Sequence, residues 1–399
     1  MDPCSNLRGS AVYWFFTTIV APVVTITRSM NASTPSPARA SVAAWLSLLF
    51  CLVFALNTVG GWVRLSGSGV AIPHWPVIEL ADGGWTLLPP FSEAGWQDMH
   101  EAFRAHQAKL LERVDRGELA PVNLGRQPQD DTDFRYMFLT EWSHRLLAAL
   151  TGLVAAGVIV SSLRHRELRQ TVGVPLAAAG GLIIAQAVLG GALVSQGTNT
   201  HWLFLHQGNA GLIMVCILWA ILRLLDPATA RPAGRSLLNA LVTTAACAIW
   251  LQLMFGALVA GSRHNATGEV ALTLGVLPDL WQGTHGLAWN LLDNGWLHLW
   301  LHRWWAWSLT LLLVVTYVVA ARTATGPRLR LALQVSATFL ALQLVFGLVS
   351  AAVGSPPLIV LGHQVLGMCL LLSVVLAVHD ARHEAPSRPV DVLPDWVRA

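Results

Sequence analysis

Apolar residues fall along this chain in eight long blocks separated by polar stretches, near residues 41–63, 138–162, 173–195, 202–225, 237–260, 300–321, 331–353 and 358–379. Each block has the length of about 20 mostly apolar residues that an α-helix needs to cross the hydrocarbon core of a bilayer. The pattern predicts an all-α integral membrane protein with eight transmembrane helices. A shorter apolar run over residues 11–27 is read as either a signal-like segment or the product of a start upstream of Met30, and is left out of the fold.

Arginines mark the polar stretches in alternation. Arg28 and Arg39 precede the first block, and Arg164, Arg166 and Arg169 follow the second. Arg223, Arg231 and Arg235 follow the fourth, Arg322, Arg328 and Arg330 the sixth, and Arg382, Arg388 and Arg398 the eighth. Alternate stretches share one side, and the positive-inside rule makes that side cytoplasmic, with both termini there. This predicts a multi-pass protein of a bacterial-type inner (cell) membrane. The outer side then carries two long segments, 64–137 and 261–299. The first, with Pro89, Pro90, Asp130, Asp131 and Asp133, is expected to fold as short helices on the membrane surface.

Composition agrees with the pattern. Of 399 residues only 12% are charged, about half the 25% typical of soluble domains. The net charge of +3 comes almost wholly from arginine, Lys109 being the single lysine. The low charged fraction selects the lipid bilayer as partner, and so small an excess of charge argues against nucleic acid. The five cysteines, at 4, 51, 216, 247 and 369, form no Cys-x-x-Cys or Cys/His cluster, which argues against a zinc site or a loop disulfide.

The second half of the chain echoes the first. Trp142-Ser143-His144-Arg145 opens the second block and Leu301-His302-Arg303 the sixth; His206-Gln207 lies in the fourth and His363-Gln364 in the eighth. Gln186 precedes His206 by the same 20 residues by which Gln343 precedes His363. The register predicts two tandem four-helix bundles related by internal duplication, running in the same direction. The boundaries are an N-terminal extension 1–40, a first half 41–225, a linker 226–235, a second half 236–380 and a tail 381–399.

Most of the 14 histidines lie between blocks and are expected to be solvated. His144, His206, His302 and His363 instead lie within blocks, in matched pairs, at one depth near the outer face. Ionisable groups inside spans are costly and mark function. Imidazole binds zinc, copper or heme iron. With only Glu141 nearby and no cysteine, two histidines on separate helices of a four-helix unit suit a heme between those helices. Gly190, Gly191, Gly211, Gly347 and Gly367 give room for a macrocycle, or else serve close helix packing. Arg145 and Arg303 are candidates to grip heme propionates, or to snorkel to lipid headgroups. Gln207 and Gln364 either orient ligands or seal helix contacts.

Glu141 breaks the symmetry. It stands one helical turn before His144, where the second half has His298 or Leu299. A carboxylate beside a low-dielectric site moves protons or stabilises positive charge. The N-terminal half thus reads as the reacting half and the C-terminal half as the cofactor half. The structural alternative is an interfacial salt bridge to Arg145 or Arg135.

These residues resemble the heme A synthase family of cytochrome oxidase assembly over residues 45–380. The segments that carry the resemblance are Gly60-Gly61-Trp62-Val63-Arg64-Leu65, Ser68-Gly69, Trp75, Pro89-Pro90, Phe134-Arg135, Glu141–Arg145, Leu205-His206, Gly256–Gly261, Leu301-His302-Arg303 and Gly362-His363-Gln364. The resemblance implies oxidation of a methyl group of heme O to a formyl, giving heme A. It implies a resident heme B on His302 and His363, the substrate heme on His144 and His206, and Glu141 as the essential carboxylate. Its partners would be heme O, an unidentified electron donor, and, as candidates, heme O synthase and cytochrome oxidase assembly factors. The chain departs from the family pattern at Leu146–Gly152 and at Ser262–Gly268, where Asn265 alone matches, and its first outer segment lacks the cysteine pair of some bacterial members. Two other readings stand beside this one: a di-heme b-type membrane electron-transfer cytochrome, and a heme transporter or chaperone.

Overall fold

The computed structural model describes residues 37–79, 84–118, 126–196, 200–225, 236–262, 281, 283–323 and 325–383. The N-terminal extension up to residue 36, the linker 226–235, the Asn265 match and the tail beyond residue 383 lie outside the described residues. So do Arg28, Arg231, Arg235, Arg388 and Arg398. The helices are α1 (Pro37–Leu65), α2 (Glu93–Asp115), α3 (Asp131–Arg164), α4 (Arg166–Ser195), α5 (Thr200–Leu225), α6 (Ser236–Ser262), α7 (Leu287–Leu292), α8 (Gly295–Ala321), α9 (Pro327–Ala352) and α10 (Pro357–His383). All except α2 and α7 are long and apolar enough to cross a membrane, eight spans among the described residues.

The two sets of four spans pack alike. In the first, α1 lies on α3 and α5, α3 on α4, and α4 on α5; in the second, α6 lies on α8 and α10, α8 on α9, and α9 on α10. The sets meet where α5 touches α6 and α1 touches α10, so α1, α5, α6 and α10 form the centre. That centre holds the buried core, including Leu46 and Leu49 of α1, Met214 and Ile217 of α5, Ile249 of α6 and Leu371 of α10. The peripheral helices turn apolar side chains outward, such as Leu153, Ile184 and Leu311. Lipid tails are as apolar as leucine, so such a face is stable only in a bilayer.

The expectation of short helices in the first outer segment needs correction. The described residues between 66 and 130 hold one 23-residue helix, α2, and a two-stranded antiparallel ladder, β1 (Ile78–Glu79) with β2 (Trp85–Thr86). Ser92 caps α2 by accepting from the Gly95 amide at 3.1 Å, and Glu93 follows in the first turn. The second span also begins earlier than its apolar block, at Asp131. Asp130 caps it by accepting from the Asp133 amide at 2.8 Å. The added turns carry Phe134, Met137 and Phe138, all buried; Phe134 and Phe138 pack on Met99 and Phe103 of α2 and on Ile72 and Ile78. The charges at 130–135 hide this extension from an apolar pattern. Likewise α8 starts at Gly295, capped by Asn294, whose side chain accepts from the Trp296 and Leu297 amides.

Three further histidines are buried: His100 and His298, expected to be solvated between blocks, and His379, the last residue of the eighth block. His100 stacks on Phe134 with ring centroids 4.4 Å apart and Nδ1 2.7 Å from Asp131. His298 and His379 are closed inside α8 and α10, where Leu291 O and the Asp380 carboxylate satisfy one ring nitrogen each.

Candidate functional site

His144, His206, His302 and His363 stand 20, 19, 19 and 20 residues before the last residue of α3, α5, α8 and α10. At about 1.5 Å rise per residue the four lie at one depth, near the end of the bundle that carries α2 and α7. Opposite each is a glycine on an antiparallel neighbour. A Cβ on Gly60 of α1 would stand 3.0 Å from Nε2 of His144. A Cβ on Gly190 of α4 would stand 3.5 Å from Cε1 of His206, on Gly256 of α6 3.2 Å from Cε1 of His302, and on Gly347 of α9 3.0 Å from Cε1 of His363. Each imidazole therefore lies against bare helix backbone. Gly211 and Gly367 serve packing instead, against Trp250 and against Leu253 and Gln343.

The histidines pair within halves. The rings of His302 and His363 have centroids 6.3 Å apart at an interplanar angle of 75°. Two imidazoles sharing one metal atom at about 2.0–2.1 Å per bond place their centroids about 6 Å apart. Gln252 of α6, one turn before Gly256, donates to the His302 carbonyl at 2.9 Å and lies 3.1 Å from its Nδ1. Gln343 Nε2 lies 3.2 Å from Nε2 of His363, whose Nδ1 is buried without a partner among the described residues. In the first half, His144 lies against Gly60 of α1 and His206 against Gly190 of α4, and Nδ1 of His206 is also buried without a described partner. Buried imidazole nitrogens left bare are costly unless a ligand satisfies them. Bare nitrogens, glycine seats and a metal-sized gap between rings all fit a planar metal-bearing group. No group of three or more His, Cys, Asp or Glu side chains converges on a metal-sized site among the described residues.

Glu141 is buried at 3% exposure, with both oxygens committed. Oε2 accepts from the Ile72 amide at 2.9 Å. Oε1 accepts from Arg145 at 2.6 Å through Nη2 and at 3.2 Å through Nε. Arg145 also donates to the carbonyls of His74 (2.5 Å) and Ile72 (2.8 Å). This is the salt bridge that the sequence left open, and it takes Arg145 rather than Arg135, which pairs with Glu93. The Arg135 guanidinium in turn holds the exposed Glu93 carboxyl below its ordinary range. Arg303 is half-buried, and no carboxylate pairs with it among the described residues.

The two glutamines differ. Gln364 donates to Asn57 on α1 at 3.3–3.4 Å and sits over Gly61, where a Cβ would come within 2.7 Å of its amide, so it seals α10 on α1. Nε2 of Gln207 is buried without a described partner.

A sequence family described as cytochrome oxidase assembly protein matches residues 43–375, most of the chain. The chain belongs to that family. Relatives named heme A synthase cover nearly the same stretch. The one from Paracoccus denitrificans is 29% identical over 87% of this chain and 89% of its own length. Those from Rhizorhabdus wittichii and Erythrobacter litoralis are 30% and 28% identical, over 86% and 85% of this chain and 95% and 96% of their own. Seen as a member of the heme A synthase family, the chain puts several resembling segments in one place: Gly60-Gly61 faces His144 and Gln364, Gly256 faces His302, and Trp75 lies on Gly191. Sequence reading missed Gln252 as the partner of His302. Its position one turn from a histidine-facing glycine was the available signal, but the first half has Leu56 at the matching place and no repeat pointed to it.

Proposed function

We propose that this protein oxidises a methyl group of heme O to a formyl, giving heme A, with a resident heme B in its C-terminal half. Family membership supports heme A biosynthesis, and the His302–His363 pair, 6.3 Å apart across glycine-lined backbone, is the observation that carries the assignment of heme B to these residues. A bound heme supplies iron for one-electron and oxygen chemistry. The chain's own part is to place it. His302 and His363 are the residues that would hold it. Gln252 holds the His302 ring, and Gly256 and Gly347 keep both rings against bare helix. Arg303, a half-buried cation without a described carboxylate partner, would pair with a propionate.

His144 and His206 hold the substrate heme in the N-terminal half, and Glu141 is required for turnover there. The arginine-rich loops face the cytoplasm, so both sites lie near the outer leaflet. The test is to purify the protein from a host that makes heme O and to identify extracted hemes by mass. Heme B together with heme O or heme A is expected. Heme B alone, with heme O present in the same membrane, would refute the assignment and leave a di-heme electron carrier.

A further inference from the structure

The first outer segment turns inward directly after α1. Gly67, at φ +72°, reverses the chain, and Val70, Ala71 and Ile72 are buried at 0–1% exposure. The Glu141–Arg145 pair grips this turn on three backbone atoms, the Ile72 amide and the carbonyls of Ile72 and His74. The next residue is Trp75. Its indole lies flat on α4, where a Cβ on Gly191 would meet three ring carbons at 2.9–3.3 Å, yet 45% of Trp75 remains exposed.

Gly191 continues the stripe of Ile184 and Val188, which are 70% and 64% exposed and face lipid. Its neighbour Gly190 faces His206. Trp75 therefore stands where the lipid-facing stripe of α4 meets the N-terminal histidine pair. In the second half the matching position after Gly347 is Leu348, 52% exposed, which carries a side chain where Gly191 has none.

We propose that Trp75 is a specificity-determining residue of the N-terminal site, an apolar plate that recognises the isoprenoid tail of the substrate heme where it leaves the site toward lipid. Glu141 and Arg145 are its positioning residues. The inference rests on the function proposed above. An isoprenoid chain is as apolar as a lipid tail, so its favourable path from a site near the outer leaflet runs to the bilayer. Indole suits that boundary, presenting a broad apolar face and tolerating the polar interface. Only glycine at 191 lets the ring lie against backbone. With both oxygens of Glu141 bound to the turn and to Arg145, the carboxylate acts through the loop it holds.

The experiment uses the full chain made in a host that produces heme O, with extracted hemes measured by mass per chain. Hydrogen exchange of residues 68–76 is followed in parallel. Trp75→Ala and Gly191→Leu are each expected to lower heme O plus heme A about tenfold, the scale on which apolar contacts discriminate ligands, while heme B per chain stays at the wild-type level. Trp75→Phe restores most of the content. Glu141→Ala is expected to raise exchange at Ile72 about tenfold by local opening, and to lower heme O plus heme A in the same proportion as Trp75→Ala. Unchanged heme O plus heme A in both Trp75→Ala and Gly191→Leu overturns the proposal, as does parallel loss of heme B, which would mean general destabilisation. A wild-type protein that holds heme B but no heme O or heme A overturns the underlying function instead, so the two failures are told apart by the wild-type control.

Discussion

Replacing the four histidine-facing glycines by alanine, one at a time, sets two opposing effects against each other. Alanine is favoured over glycine inside a helix by about 1 kcal/mol. Against that, carbon atoms pack at about 3.5–4.0 Å. The Cβ of an alanine at 347 would stand 3.0 Å from His363 and at 60 3.0 Å from His144, about half an ångström too close. At 256 the distance is 3.2 Å, and at 190 it is 3.5 Å, already an ordinary contact. Overpacking of this kind costs about 1–3 kcal/mol. Gly190→Ala is thus expected to be neutral or stabilising by up to about 1 kcal/mol, and Gly347→Ala destabilising by up to about 2 kcal/mol once the propensity gain is subtracted. The pair is informative because 190 and 347 occupy matching places in the two halves. Thermal unfolding reads the stability difference. Heme B per chain and its reduced optical spectrum read whether the His363 ring has been pushed off its axis. Loss or spectral change in Gly347→Ala, a smaller change in Gly256→Ala and none in Gly190→Ala is the expected order. Equal behaviour of Gly347→Ala and Gly190→Ala in both measurements would refute the idea that bare backbone seats the ligand ring.

Further expectations follow from the same contacts. Arg145→Ala leaves Glu141 buried at 3% exposure without its cation and is expected to cost roughly 3–5 kcal/mol in chemical unfolding; a loss under about 1 kcal/mol, the value of an exposed pair, would mean the pair is solvated. Gln364→Leu removes only hydrogen bonds of 3.3–3.4 Å to Asn57 and is expected to cost less than about 1 kcal/mol, whereas Gly61→Leu drives a side chain into the Gln364 amide and should loosen α10 from α1, read as faster hydrogen exchange along that seam. In α2, His106 is held below its ordinary pKa, chiefly by burial and secondarily by the nearby His74 and Lys109. The unfolded segment takes up a proton near pH 6.5 and the folded one only at lower pH, so the contribution of neutral His106 is present above about 6.5 and is lost as pH falls below it. Protection of α2 amides, corrected for the intrinsic pH dependence of exchange, should fall between pH 7.5 and 5.5, and His106→Gln should flatten that dependence.

The eight spans were legible because a bilayer admits few alternatives: each run of about 20 apolar residues became a helix. The four histidines were legible through repetition, since a matched pair is a stronger signal than either member. What the sequence hid lies in contacts between segments far apart in the chain. Glu141 stands one turn from His144 and also four residues before Arg145, so periodicity alone allowed both a free carboxylate and a salt bridge. The structure resolves this through Ile72 and His74, about 70 residues earlier, whose backbone atoms complete the site. A backbone amide carries no sequence signature. The α2–α3 contact was hidden for a related reason: His100, Asp131 and the flanking charges read as surface, while Phe103, Phe134 and Phe138 between them are closed together.

The same contacts turn a sequence asymmetry into an electrostatic one. Both halves place an arginine directly after their first histidine. In the N-terminal half that cation is neutralised by Glu141 and spent on the turn before Trp75. In the C-terminal half the residue one turn before His302 is Leu299, and Arg303 keeps its charge free of any described carboxylate. A half-buried guanidinium gains most from an acidic group that accepts both of its forks, so under the proposed function a heme with its propionates would gain more in the second half than in the first. The first half offers instead an ordered outer loop and an indole at the edge of the lipid. A tightly held cofactor needs the former arrangement. A ligand that enters, reacts and leaves is better served by the latter, because contacts made through a loop can be released without breaking the helix bundle that carries the histidines.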